Sequence, residues 1–592
     1  MKSQADLHSA LIEDQMSLLG LSALNDLATF RSRVESKGLP FMAITLPQYA
    51  KDLERALASG SLTREGFTSF KRRGPADVRP LFLGGLMSLI FNADGEILPN
   101  PSSEAIRAVR QICLFQSKLK ELAPEAALKA AERTFVETDA AIAESPADNA
   151  DYLAFSKVAT RLWSGMFDKV LSKVETDFVP HHGPGAVADK LTSNGKYKSR
   201  SYSERLDRVL PASDWLIPGY GYYSELLESP FYAPAQEPPV RVVFVPKTMV
   251  TPRVIAIEPV YMQYIQQGFL SIFREEMAKN SFVSFEDQMP NRLLAKTGSI
   301  DGSLSTIDLS EASDRVSLRL VKAMFRHNTP LMEYVLACRS TRAELPNGDI
   351  ILLKKFASMG SALTFPIESL VFFTVVVLAI CEQEGLSAPS GRLIRSLKGV
   401  ARVYGDDIIV PTRYTQAVIT KLETFGLKVN VRKSFYEGNF RESCGAEYYS
   451  GSDVSIVRCR KRIPHNRQQV DELESFVALR NNYAEKYGVT KYVSMLDDHI
   501  EGIIPFPYGY STTDALVRYD GEGVVQATGM HVDLHRPTVV ACQIVRKYRS
   551  DKLEGSSALL KFFTTPFQED REHLLRAGRP VSAKLKYRKV VL

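Results

Sequence analysis

Three aspartates at two places in this chain have the residue type and the surroundings for metal-assisted chemistry. Asp308 closes the apolar stretch Ser305–Leu309 within TIDLSEASDRVS, and Asp406 and Asp407 stand side by side in VYGDDIIV. A carboxylate inside an apolar, β-branched run is costly unless it neutralises or meets a cation. Neighbouring side chains of a continuous strand point to opposite faces, so both aspartates reach one site only if the run turns between them. Gly405 supplies the permissive backbone for such a turn. Two carboxylates at a hairpin tip, with Asp308 on a second short strand, form an oxygen set that hard cations such as Mg²⁺ take. Two metals shared by Asp308 and Asp406 suit in-line phosphoryl transfer, one activating the attacking oxygen and one stabilising the leaving oxygen. A DD pair alone is a weak signal. Asp497-Asp498 in SMLDDHIEG lacks flanking strands and reads as solvated surface.

Cations stand where a phosphate substrate would need them. Lys247 and Arg253 flank the turn of VPKTMVTPRV, and Arg can grip a triphosphate in bidentate fashion. Asp314 lies near the start of the helix after Asp308, where the macrodipole also favours an acid.

The elements that must position these residues form a mixed centre between helical flanks. Residues 1–240 read as mostly helical, with amphipathic segments such as Ser103–Lys120 and a Gly/Pro-set loop, VPHHGPG, at 179–185. Val240–Val245 and Arg253–Ile257 read as two strands. A helix is expected from about Asp314, with Val316, Leu320 and Met324 on one face. Val403–Tyr404 and Ile408–Val410 read as strand, turn, strand. From Asn466 helical patterning returns (Val470, Leu473, Val477, Ala484) and runs into a basic tail. The fold class is therefore α+β.

Taken in order, VPKTMVTPRVIAIEP, TIDLSEASDRVS, SMGSALTFPIESLVF, VYGDDIIV, GLKVNVRKSF and FRESCGAEYYSG resemble the motifs of an RNA-directed RNA polymerase. More narrowly, they resemble the replicase catalytic subunit of positive-strand RNA bacteriophages, the levivirus and phage Qβ group. The resemblance covers about 240–460. It implies a right-hand polymerase: N-terminal region and fingers at 1–300, with a fingertip motif at 240–259; a palm at 301–460 with part of the fingers inserted; and a thumb with a basic extension at 461–592. By resemblance, Asp308, Asp406 and Asp407 hold two Mg²⁺ ions, with Mn²⁺ as the substitute, and Asp406 is the surest partner of Asp308. Lys247 and Arg253 guide the incoming nucleotide, and Asp314 recognises the ribose 2′-OH. The loop with Ser358, Gly360 and Thr364 makes ribose and template contacts; Glu368 stands where many such polymerases carry Asn. Lys433 is either a general acid toward pyrophosphate or a phosphate-neutralising charge, since Arg432 beside it cannot usefully release a proton. The FRESCG hairpin would grip the primer or nascent strand, with Cys444 a packed small residue.

The family also implies primer-independent initiation on RNA from ribonucleoside triphosphates. Implied partners are host elongation factors Tu and Ts and a host ribosomal protein, and the implied location is the cytoplasm of an infected bacterium. A reverse transcriptase is disfavoured by Gly405 and Asp314. A catalytically silent RNA-binding protein is disfavoured by the intact aspartate set.

Composition agrees with an ordinary globular chain: 592 residues, 45% hydrophobic, 24% charged. The N-terminus MKSQADLHSALIEDQ has no apolar segment, so no secretory signal is expected. The run Leu370–Cys381 is too short to span a bilayer and suits a buried helix or strand. Six scattered cysteines read as reduced thiols, and His531 and His535 lack a third ligand nearby. Residues 541–592 hold twelve Lys/Arg against five acids, a balance of +7 in a chain of net charge +6. A basic C-terminus on a neutral body points to a polyanion partner.

Overall fold

The computed structural model describes every residue except 1, 2, 64, 75, 122, 522, 524 and 566–571; Glu569, Asp570 and Arg571 of the basic tail thus lie outside the described residues.

At the centre is a three-stranded antiparallel sheet in the order Arg402–Tyr404, Asp407–Pro411, Leu304–Ile307. Its register pairs Tyr404 with Asp407 and Ile408 with Ile307. Ile408, Ile409 and Val410 are all buried, so both faces of the middle strand are covered, as a continuous apolar run requires. Helices Met289–Asp301 and Thr364–Gln383 supply cover. The second helix extends the apolar run 370–381 to 20 residues; by length and composition it could cross a membrane, yet 94% of its most apolar stretch is buried inside the protein. Thr374, which interrupts the run, accepts a hydrogen bond from Trp163 Nε1 at 2.8 Å and donates to the Leu370 carbonyl at 2.7 Å. Its hydroxyl is thereby satisfied in the core.

The expected strands Val240–Val245 and Arg253–Ile257 form an antiparallel hairpin. Arg342–Glu344 joins it in parallel, and Ile350–Leu352 lies beyond. The helix expected from Asp314 begins later: residues 313–315 form one 3₁₀ turn and the α-helix is Leu318–Met324, capped by Ser317. Ser317 accepts from the Leu320 N–H at 3.0 Å, which places the start at a good N-cap residue rather than at the acid.

The N-terminal helices do not pack as one unit with the 240–257 hairpin. Residues from Ile12 to Leu114 share a core with Phe435, Phe440, Tyr449 and Val454. Leu7, Leu11 and Phe115 pack with the helices Val470–Tyr487 and Lys491–Glu501. Buried Arg110 ties these parts together, reaching Glu54 at 2.8 Å and Glu447 at 2.9 Å.

Two sequence expectations are corrected here. The basic C-terminus is not a loose tail. Pro537–Ser550 and Arg576–Val591 make a long antiparallel ribbon with helix Gly555–Thr564 between them. The overlooked signal is period-2 alternation: Ala583 and Leu585 are half-buried while Lys584 and Lys586 are exposed. The second correction concerns Asp497-Asp498. Both lie on helix Lys491–Glu501, and Asp497 is buried, taking Arg480 Nε at 2.6 Å and Nη2 at 2.9 Å. Only Asp498 is solvated, because consecutive helical residues face different sides.

Candidate active site

Gly405 and Asp406 form the two-residue turn between Arg402–Tyr404 and Asp407–Pro411. Gly405 has φ +60° and Asp406 is absent from the positive-φ residues, the pattern of a type II′ hairpin turn. A Cβ at Gly405 would also stand 2.8 Å from Phe365 Cε2. Asp406 is exposed at the tip, whereas Asp407 is half-buried on the strand. One step beyond the Ile408–Ile307 pair, the register brings Asp407 opposite Asp308. The two motifs thus converge.

Asp308 is held by the segment that follows Lys428–Val429. Its N–H donates to Ser434 Oγ at 3.1 Å, Asn430 Nδ2 donates to its Oδ2 at 2.8 Å, and Lys433 Nζ stands 3.7 Å from the same oxygen. Burial pushes the Asp308 carboxyl up to about 6, Lys433 pulling the other way and Asp406 and Glu442 adding to the rise. Asp407 is pushed up to about 7, by burial first and then by Asp406, Asp308 and Glu442. The Cys444 N–H, from a residue with φ +50°, donates to Asp407 Oδ2 at 3.2 Å. Burial works to lower Lys433, but Glu442, Asp308, Asp406 and Asp407 outweigh it and hold the ammonium above its usual range.

Four carboxylates and one lysine therefore share a cleft. The donor set is all oxygen, which fits a hard divalent cation. As placed, no three His, Cys, Asp or Glu side chains among the described residues close on a common point. Asp308 turns one oxygen to Asn430 and Lys433, and Asp407 turns one to Cys444. The fit of the site to a cation rests on donor chemistry and like-charge crowding, which a cation relieves.

Lys247 follows the strand Val240–Val245 and Arg253 opens its partner, paired with Val245. Desolvation, then Lys433 and Arg253, hold the Lys247 ammonium below its usual range, while Asp406 and Asp308 oppose this. Lys247, at the turn end of the hairpin, thus lies within electrostatic reach of the acidic cluster. The loop after Lys355 packs on the same hairpin: the Ala256 N–H donates to the Met359 carbonyl at 2.8 Å. Gly360, at φ +136°, has no room for a Cβ, which would lie 2.0 Å from the Ala256 oxygen. Ser358 is buried with its hydroxyl unpartnered among the described residues, and Thr364 donates its hydroxyl to the Ser358 carbonyl at 2.8 Å.

Asp314 lies apart from the three metal-site candidates, bound at 3.0 Å to Lys355 Nζ. Lys355 is fully buried, its ammonium 3.4 Å from the Phe135 ring centroid and its N–H on Asp139 at 3.1 Å. Burial, then Asp406 and Asp314, hold Glu368 well above the carboxylate range.

Sequence reasoning missed Asn430, Glu442, Ser434 and Lys355. Glu442 could have been found as the acid inside FRESCG. Arg441 beside it is fully buried and holds the Leu304 carbonyl at 2.7 Å, which locks the hairpin Phe440–Tyr449 to the Asp308 strand. Lys355 had a signal too, a lysine next to an apolar loop, but its partners, Asp314, Phe135 and Asp139, come from two other elements.

Residues 235–478 match the family model described as RNA replicase, beta-chain. The chain is 38% identical over 224 residues to the RNA-directed RNA polymerase subunit beta of Qbeta virus (strain MX1), covering 38% of this chain and 36% of that one. It is 36% identical over 219 residues to the RNA-directed RNA polymerase beta chain of Escherichia phage MS2, covering 37% of each. The aligned part thus spans a little over a third of these relatives. Among solved structures, the insertion loop deletion mutant of the RNA-dependent RNA polymerase of a human picobirnavirus aligns with TM-score 0.30 at 12% identity, covering 44% of this chain and 57% of that one. The family match and the two phage relatives bear out the resemblance read from the motifs for the central part of the chain.

Proposed function

We propose that this chain is the catalytic subunit of a phage RNA replicase, copying RNA from ribonucleoside triphosphates. The observation that carries the reading is the antiparallel register ending at Ile408–Ile307, which leaves Asp407 and Asp308 each one residue beyond that pair beside the Gly405-Asp406 turn, within the stretch similar to replicase beta chains. Asp308 and Asp406 would hold two divalent cations, Mg²⁺ or Mn²⁺, with Asp407 as the weaker ligand. Bound there, such ions acidify the attacking hydroxyl and stabilise the leaving oxygen.

The chain's own residues do the rest. Lys247 and Arg253 receive the triphosphate from the fingertip side, aligning the α-phosphate for in-line attack by the 3′-OH. Lys433, fixed beside Asp308, neutralises the departing pyrophosphate and can hand it a proton. Asp314, oriented by Lys355, accepts from the ribose 2′-OH, and Glu368 lies in the same network. The loop at Ser358–Thr364 sets the spacing between this network and the fingertip hairpin. The hairpin Phe440–Tyr449 supports the growing strand. Primer-independent initiation, host elongation factors Tu and Ts, a host ribosomal protein and the cytoplasm of an infected bacterium complete the proposal by family likeness.

The test is nucleotide incorporation on a defined RNA template, by the chain alone and with elongation factors added. Asp406→Asn should abolish divalent-dependent extension while sparing RNA binding. Unchanged synthesis in that variant, or a clear preference for deoxyribonucleotides in the parent chain, overturns the reading.

A further inference from the structure

Away from the aspartates, the VPHHGPG loop, the 3₁₀ segment Ser193–Lys198 and the C-terminal ribbon enclose a cavity of about 1270 Å³. That exceeds the roughly 300–1,000 Å³ of most small-molecule pockets. Its wall is basic. Lys173, Lys190, Lys196, Arg241, Arg549, Lys561 and Arg579 line it, against Asp177, Glu275 and Asp551. Two of these acids are already engaged: Glu275 pairs with Lys173, and Asp551 accepts the Asn194 N–H at 3.0 Å.

Four of the cations, Lys190, Arg241, Arg549 and Arg579, have no carboxylate within ion-pair reach among the described residues, and the Arg241 Nε is buried without a hydrogen-bond partner. Lys196 is 3% exposed and spends its ammonium on two backbone carbonyls, Gly183 at 2.7 Å and Gly185 at 2.6 Å. Burial, then Arg579, lowers it to about 8. Among the described residues this concave wall carries more positive than negative charge, which favours anions there. The wall also carries Phe563, 61% exposed, the kind of ring on which a base stacks beside a basic groove.

We propose that this cavity is a second phosphate-binding site, which holds the phosphodiester backbone of single-stranded RNA outside the catalytic cleft. The strand as source rests on the replicase reading; the shared chemistry, phosphate held by Arg and Lys, also admits a free polyphosphate. The cavity wall and the fingertip turn lie along one strand. Arg241 stands near one end of Val240–Val245 and Lys247 just past the other, about 20 Å apart at ~3.3 Å per extended residue. A strand leaving or approaching the aspartates would meet both.

The experiment measures binding of the full chain to a fluorescent single-stranded RNA and, separately, to inorganic tripolyphosphate, across salt concentrations and in EDTA, so that no catalysis enters. Arg241→Gln/Arg549→Gln/Arg579→Gln should weaken RNA binding about tenfold or more at ~0.1 M salt and flatten the log–log salt slope by about 2, at roughly 0.7 per phosphate contact on a single strand. If the triple variant fails to fold, Arg549→Gln/Arg579→Gln, both solvent-facing, should flatten it by about 1. The control removes three exposed cations elsewhere, Arg392→Gln/Arg395→Gln/Lys398→Gln. Loss of tripolyphosphate binding alone keeps the site and makes the source a free polyphosphate. Unchanged binding of both probes, or an equal loss in the control, overturns the proposal. Because Asp406 is untouched and no nucleotide is added, that result is separable from failure of the replicase reading.

Discussion

The two Asp-Asp pairs of this chain are the same dipeptide in two kinds of backbone, and they end in opposite electrostatic situations. Asp497 and Asp498 sit on a helix, so one faces in and one faces out. The inner one is neutralised by Arg480, itself fully buried, which also donates to the Tyr519 carbonyl at 2.8 Å. Asp406 and Asp407 sit at a hairpin turn, where the backbone reverses and both stay near Asp308 and Glu442. There the only cation close to Asp308 among the described residues is Lys433, at 3.7 Å. One pair has been closed by the fold; the other has been left acidic. A carboxylate satisfied by an internal arginine contributes to stability, and a cluster kept short of positive charge is available for a ligand.

Neutralising each pair should therefore damage different things. The largest effect expected is on activity: Asp406→Asn should cost at least ~10³-fold in incorporation, more than about 4 kcal/mol of transition-state stabilisation, with its melting temperature near that of the parent. Next comes stability. Asp497→Ala strands a buried guanidinium and should destabilise by about 3–5 kcal/mol in chemical denaturation. Replacing both partners, Arg480→Met with Asp497→Leu, should recover most of that loss. If the double variant is no better than the single, the ion pair is not what the helix depends on.

Gly405→Ala should be intermediate and mixed. The left-handed φ and the Phe365 contact should cost about 1–3 kcal/mol and lower incorporation by tilting the turn, whereas a silent Gly405→Ala would remove the hairpin's claim to position Asp406. Asp498→Ala is the smallest, within about 0.5 kcal/mol and without effect on incorporation. A large loss there would show that the outer aspartate is not simply solvated.

Much of the candidate site was legible in the residues. Strand, turn and strand around Gly405-Asp406 followed from an apolar β-branched run broken by one glycine, and the 240–257 hairpin followed from two such runs around a Pro-flanked turn. Lys433 was legible because it shares a short basic motif. Glu442, Asn430 and Lys355 were not, because their roles depend on partners contributed by other elements: Asp308 for Asn430, the acid cluster for Glu442, and Asp314 and Phe135 for Lys355. The basic C-terminus misled for a different reason. Exposed lysines on a two-stranded ribbon look like a solvated tail when only charge is counted, although the alternation of Ala583 and Leu585 with Lys584 and Lys586 was there to be read.

The sequence by itself determined the local conformations that short-range sterics and hydrophobic period decide: the Gly405 turn, the buried strand Ile408–Val410 and the strands of the 240–257 hairpin. It also determined which residues have the chemistry for phosphate and metal. Tertiary structure alone decided which charges are answered. Whether an aspartate meets an arginine, another aspartate or water depends on what the rest of the chain packs against it. Coulomb energies inside a protein are set by burial and by neighbours a few ångströms away, and sequence order does not carry those distances.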